Sequence, residues 1–235
     1  VSKIKINNFH TTIAFIWHPW NCDLFFGPSD VSPKSFNSSN QVIGTLTSKN
    51  VSSHGNENTF LWTNEGFSIL PTFNGKIITE NELILDSSII NKINSLLANN
   101  YTVVVNDINE NETCVGQVRR NASSMAFKFT KGIFSLLQTP SIPSPNVTAQ
   151  GINSKGQIVG SFQLEGKNVA CLWEDDKIFQ LNSLVEGNHD LDIQHPTQIN
   201  NIGQIIALLF VDGKYQQILL DPIVEVYMSK FVLLV

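Results

Sequence analysis

The densest cluster of groups able to do chemistry is HDLDIQH, His189 to His195, with two imidazoles and two carboxylates in seven residues. Imidazole and carboxylate are ligands for divalent metals and the commonest acid–base partners. Metal ligation also demands convergence and a supporting second shell. Strand-like alternation would set His189, Leu191 and Ile193 on one side and spread the four polar groups apart. The segment therefore reads as a solvated loop in which His189, Asp190, Asp192 and His195 can meet a ligand, with no metal assigned. A second cluster, WHPWNCDLFF (Trp17 to Phe26), sets Trp20 near Asp23, a composition that suits sugar stacking or protein recognition. His54 and the adjacent pair Arg119-Arg120 lie in two further loop-like stretches, 46–58 and 119–124.

Catalytic signatures are missing. A glycosidase needs two carboxylates flanking the scissile bond, and Asp23, Asp107, Asp190 and Asp192 show no spacing that pairs them. The sequence contains no G-x-S-x-G, Walker A, HExxH or Rossmann glycine pattern, so no cofactor is implied. The cysteines are three, Cys22, Cys114 and Cys171, with neither CxxC nor a His/Cys cluster. That excludes a structural zinc motif and argues against a disulfide framework. Cys114 and Cys171 fall in apolar runs and are expected to be buried fillers, not nucleophiles.

What would position these groups is a repeat. IN-x-x-G-Q-I-V-G is cleanest at Ile152 to Gly160 and recurs as INNIGQIIA (Ile199 to Ala207), INENETCVG (Ile108 to Gly116) and FNSSNQVIG (Phe36 to Gly44). A worn copy, ITENELILD, spans Ile78 to Asp86. A second marker follows as ACLW, AFKF, QILL and TFLW, and a further AFIW runs from Ala14 to Trp17. The offset between the markers is 21 positions in three copies: Ile152 to Trp173, Ile108 to Phe129 and Ile199 to Leu220. Chance similarity would not hold one offset three times.

Read physically, the best copy is four short strands separated by NSKG, EGK and EDD, whose Asn, Gly and Asp tolerate the positive φ of tight hairpins. Apolar residues fall on both faces, as in a sheet packed on each side. A four-stranded antiparallel unit of about 45 residues, repeated head to tail, is a β-propeller blade. The chain is expected to be one all-β domain spanning residues 1–235, a propeller of about six blades, or alternatively five. The turns between strands one and two and between three and four are short. The longer connections share the opposite face, where a rigid scaffold would hold binding loops.

The pattern A-x-x-IN-x-x-GQIVG … AFLW resembles the bacterial HAF repeat, also described as a probable extracellular repeat, over Val103 to Pro222 and over Ala14 to Phe73. The resemblance implies a secreted, periplasmic or cell-surface propeller-like protein and supplies no catalytic residues. The chain opens on Val1 with no signal-peptide pattern, so a trimmed form is expected. A net charge of −5 with 15 Lys+Arg leaves no nucleic-acid footprint. No apolar stretch has the length of a transmembrane helix. The functional expectation is a non-enzymatic exported scaffold that recognises a protein or a glycan through its long-loop face. The alternatives are a polysaccharide-acting propeller hydrolase or lyase, and a structural repeat module without a ligand.

Overall fold

The computed structural model describes residues 11–18, 21–28, 31–47, 57–63, 66–69, 102–120, 123–130, 133–141, 146–187, 191–223 and 230–234. Strands β1 (Thr11–His18) and β2 (Asn21–Pro28) pair as a two-stranded antiparallel sheet. Every other strand belongs to one of four antiparallel sheets of four. The first blade holds β3 (Val31–Phe36), β4 (Val42–Thr47), β5 (Glu57–Thr63) and β6 (Gly66–Ile69). The second holds β7 (Thr102–Ile108), β8 (Thr113–Arg120), β9 (Ser123–Thr130) and β10 (Ile133–Leu136). The third holds β11 (Val147–Ile152), β12 (Ile158–Leu164), β13 (Lys167–Glu174) and β14 (Lys177–Gln180). A single helical turn, α1 (Leu181–Leu184), leads to the fourth: β15 (Ile193–Ile199), β16 (Ile205–Val211), β17 (Lys214–Ile223) and β18 (Lys230–Leu234). In each blade the strands are hydrogen-bonded in chain order, the up-and-down arrangement of a propeller.

The all-β propeller expectation holds, but the count does not: four blades are described, not six or five. The AFIW copy has no IN-x-x-G-Q-I-V-G marker ahead of it, and among the described residues it contributes the hairpin β1–β2. The worn copy at Ile78 lies outside the described residues. The marker residues themselves keep register. Trp62 pairs with Val42, Phe129 with Cys114, Trp173 with Ile158 and Leu220 with Ile205. Trp17 faces Cys22 across β1–β2 as Trp173 faces Ile178 across β13–β14, so that hairpin corresponds to the outer half of a blade.

The second and third blades pack on neighbours through both faces of their sheets, which is why their strands are not simply amphipathic. On the third blade, Val159, Ala170 and Leu172 join the core shared with Ile199, Ile205, Ala207 and Leu220 of the fourth. From its other face Ile158, Cys171 and Trp173 join Val115 and Ala126 of the second. Ile43 and Leu61 meet Val105, Ile108 and Phe127 between the first and second. The last blade is completed from the C-terminal tail. Phe231 in β18 is buried, pairs with Pro222 and accepts the Glu186 N–H at 2.9 Å.

Two devices repeat. The glycine that closes the first marker, at positions 44, 116 and 160, lies against a bulge in the blade's first strand. A Cβ there would come within 2.3, 2.0 and 2.0 Å of the carbonyl oxygens of Ser32, Val104 and Thr148. The second device is the marker's asparagine. Its Oδ1 accepts the backbone N–H four residues on, from Gln41, Thr113, Gln157 or Gln204. Its Nδ2 donates to the backbone carbonyl of the matching asparagine in the next blade: Asn37 to Asn109 at 3.1 Å, Asn109 to Asn153 at 2.9 Å, Asn153 to Asn200 at 3.1 Å.

These contacts set two expectations for stability. Asn153→Asp keeps shape and acceptor but turns an oxygen toward the Asn200 carbonyl, and should cost about 2–4 kcal/mol at neutral pH. Asn200→Asp, whose side chain reaches no further blade among the described residues, should cost clearly less. Trp173→Ala should cost about 3–5 kcal/mol through lost transfer and a cavity, while Lys177→Ala on an exposed turn should stay within about 0.5 kcal/mol. Urea midpoints of the four variants check both. Equal midpoints within either pair would contradict the corresponding assignment.

Candidate functional site

At the end of the blades away from the asparagine turns, the second, third and fourth blades border an open cavity of about 420 Å³. Its walls are the ends of second strands and the starts of third and first strands. β8 brings Gln117 and Arg119, β9 brings Ser123 and Ser124, and β12 brings Ser161 and Gln163. Thr148 and Gln150 come from β11 with Asn146 just ahead of it, Asn168 from β13, and His195 from β15. Every lining side chain is polar. Strand alternation produces this: on each second strand the residues one and three past the packed glycine, Gln117 with Arg119 and Ser161 with Gln163, stand on one side of the sheet.

Internal hydrogen bonds fix much of the wall. Thr148 donates to Gln117 Oε1 at 2.7 Å, tying the third blade to the second. Ser124 donates to Asn146 Oδ1, and Asn146 Nδ2 donates to Gln163 Oε1 at 3.2 Å. Asn168 Nδ2 sits 3.2 Å from His195 Nε2, so that in the neutral ring Nε2 accepts and Nδ1 carries the proton. Arg119, Gln150 and Ser161 make no side-chain hydrogen bond among the described residues and are open to a ligand. Arg119 brings a permanent positive charge, and no carboxylate is among the lining side chains. Beside His195, the Tyr215 ring lies 5.8 Å away centroid to centroid, with Phe210 a further 5.1 Å from Tyr215.

Of the residues singled out in the sequence, the structure brings Arg119 and His195 together in this cavity, on the long-loop face expected to bind. Asp192 does not join them. It is half-buried, its carboxylate accepts from Gln194 Nε2 at 3.0 Å, and its carbonyl accepts the Phe210 N–H at 2.9 Å. Asp23 lies on β2 and Arg120 ends β8. Trp20, His54, His189 and Asp190 lie outside the described residues. Among the described residues no group of His, Cys, Asp and Glu is arranged to hold a metal, and no helix is long and apolar enough to cross a membrane. Sequence reading missed the amide and hydroxyl walls, above all Gln117, Gln150, Gln163 and Asn168. The available signal was polar residues at matched positions of successive repeats, where a buried sheet calls for apolar ones.

No family model and no curated protein matches the chain. Among solved structures it is similar to the β-propeller domain of the Trilobed protease from Pyrococcus furiosus, which is described as having an open velcro topology. The similarity covers 89% of this chain and 56% of that one, with a TM-score of 0.53 and 8% identity. At that identity the likeness establishes the propeller fold, and the chain spans little more than half of its structural neighbour.

The remaining carboxylate and the two thiols inside the blades are structural. Asp107 on β7 joins three blades: Ser35 of the first donates to Oδ1 at 2.5 Å, Ile108 N–H to Oδ1 at 2.9 Å, and Ile152 N–H of the third to Oδ2 at 2.9 Å. Its pKa is raised above the ordinary 3.8 because burial outweighs these three donors. Burial, with the negative charges of Asp107 and Glu112 nearby, pushes the Cys114 thiol up to about 12. Burial also pushes the Cys171 thiol well above its usual range. Neither cysteine is a nucleophile at neutral pH. A raised folded-state pKa means that ionised Asp107 destabilises the fold at neutral pH, and that this penalty fades as pH falls through the raised value toward 3.8. The stability of the wild type relative to Asp107→Asn should therefore rise between pH 7 and about pH 4. Urea midpoints at the two pH values measure it, and a relative fall would show that the three donors outweigh burial.

Proposed function

We propose that the protein is a non-enzymatic, exported binding propeller that takes a glycan in the polar cavity on its long-loop face. The observation that carries this reading is the cavity wall: about 420 Å³ bounded by amide, hydroxyl, guanidinium and imidazole groups, with no apolar side chain among them. Ligand sites of this size are usually lined by apolar side chains with a few polar ones. An all-polar wall favours a ligand that is itself dense in hydrogen-bonding groups. A sugar hydroxyl donates once and accepts twice, and Gln and Asn amides offer both functions side by side. Gln150 and Ser161 supply such groups unpaired among the described residues. Exposed Tyr215, tilted 56° against Phe210, adds an aromatic face beside His195 of the kind on which sugar rings stack.

A hydrolase reading is less well supported. Paired carboxylates would have to line the cavity, and its described walls hold none. Export is inferred from the resemblance to the HAF repeat.

A glycan array followed by calorimetry on the best ligand tests the proposal. Gln150→Ala should weaken binding about tenfold, through one or two lost hydrogen bonds, and leave the melting temperature unchanged. A blank array together with a specific protein partner recovered by pull-down would replace the glycan with a protein. Binding unaffected by Gln150→Ala would move the site elsewhere.

A further inference from the structure

The repeat lets equivalent positions of different blades be compared, and one position stands out. Three residues past the packed glycine, one short of the end of the second strand, stands a residue paired directly with one near the start of the third strand. In the second blade this pair is Arg119 with Ser124, and in the third Gln163 with Asn168. In the fourth blade, where Ala207 replaces the glycine, it is Phe210 with Tyr215. Core positions of the same strands stay apolar from blade to blade, as Cys114, Ile158 and Ile205 do. The end pair instead changes class completely, from a cation with a hydroxyl, to two amides, to two aromatic rings. The first two pairs line the cavity. The third stands on the same sheet face as His195, which lines it too, and Tyr215 is 52% exposed.

We propose that this rim reads an acidic oligosaccharide, with Arg119 binding a sugar carboxylate, the amides of the third blade binding ring hydroxyls, and the Phe210–Tyr215 pair stacking on a neighbouring ring. The inference rests on the glycan reading of the cavity and adds the charge class and the direction of the ligand. Its chemical basis is the isolation of Arg119. In a chain of net charge −5, this guanidinium borders a cavity with no carboxylate in its wall, and it forms no ion pair among the described residues. Guanidinium is the side chain best matched to a carboxylate, through two parallel N–H···O bonds. The hydroxyls of Ser123 and Ser161 and the Gln150 amide share the cavity wall with it as neutral groups that do not compete for the charge. An aromatic surface two blades along suits the apolar face of a pyranose ring and would be of no use to a small inorganic anion.

The experiment uses the full chain and short oligomers of polygalacturonate, alginate and hyaluronan, each beside its carboxyl-reduced counterpart, in which only the acid has become an alcohol. At least one acidic oligomer should bind about ten- to a hundredfold tighter than its reduced form, the range expected for a hydrogen bond to a charged group. Arg119→Ala should bring the two forms to equal affinity, Arg119→Lys should keep part of the preference, and Tyr215→Ala should weaken both forms alike. Equal binding of acidic and reduced oligomers overturns the acidic class, a preference that survives Arg119→Ala overturns Arg119 as its reader, and either leaves the glycan reading in place. Binding of neither form overturns both. Unchanged melting temperatures for Arg119→Ala and Tyr215→Ala separate lost recognition from lost folding.

Discussion

The architecture depends on a carbonyl oxygen that must be satisfied twice. In each strand-one to strand-two turn the asparagine carbonyl accepts the N–H three residues on, for example Gly156 N–H to Asn153 O at 3.1 Å. Its second lone pair receives the asparagine amide of the preceding blade. Buried backbone groups are rarely left unpaired, so one residue both closes its own hairpin and fixes the position of the blade behind it. The rest of the turn is built outward from this point. In the third blade Asn153 Nδ2 also donates to Gln157 Oε1 at 2.7 Å, and Gln157 Nε2 donates to Glu174 at 2.5 Å. The fourth blade repeats the chain through Asn200, Gln204 and Asp221. The second blade puts Thr113 and Thr130 at the two outer positions, with their hydroxyls 2.9 Å apart. The outer partners can change together; the asparagine does not.

This belt lies at one end of the blades, and at the other end side-chain pairs such as Thr148 with Gln117 and Asn168 with His195 join them instead. The apolar clusters occupy the sheet faces between. What remains at the far end is a set of strand termini whose side chains are free to be polar, and these form the cavity. Asp107 does for the interior what the belt does for the turns, joining three blades on one carboxylate, and its raised pKa is the cost of burying that charge.

Much of the fold was legible because the repeat writes it four times over. The last residue of the second marker, Trp62, Phe129, Trp173 or Leu220, keeps one register in every described blade. The asparagine could be read as a turn residue, but not as a link. Its partner is a backbone carbonyl, which every residue has, so no sequence pattern advertises the bond. Blade number was misjudged because the AFIW marker belongs to the outer hairpin of a blade and was counted as though a whole blade came with it. The candidate site was less legible. Arg119 and His195 were found because their residue types are rare and conspicuous in loops. The amides were missed because Gln and Asn on a strand look like imperfections in a core pattern until the register shows that they face the same space. The pair Phe210 and Tyr215 failed for the opposite reason, since aromatics on a strand look like core.

The end pairs of the second strands contribute to no apolar cluster, and only one hydrogen-bonded hairpin separates each from the next strand. They are held by polar contacts to neighbouring strands, Ser124 to Asn146 and Asn168 to His195, and not by apolar packing. A duplicated blade inherits its place in the row through the asparagine and the glycine, and its end pair needs only a compatible polar or aromatic neighbour. Divergence after duplication can then alter recognition one blade at a time without passing through an unfolded intermediate. Such a chain behaves as a row of interchangeable cassettes, and the order of its blades spells out the order of chemical groups along whatever lies across them.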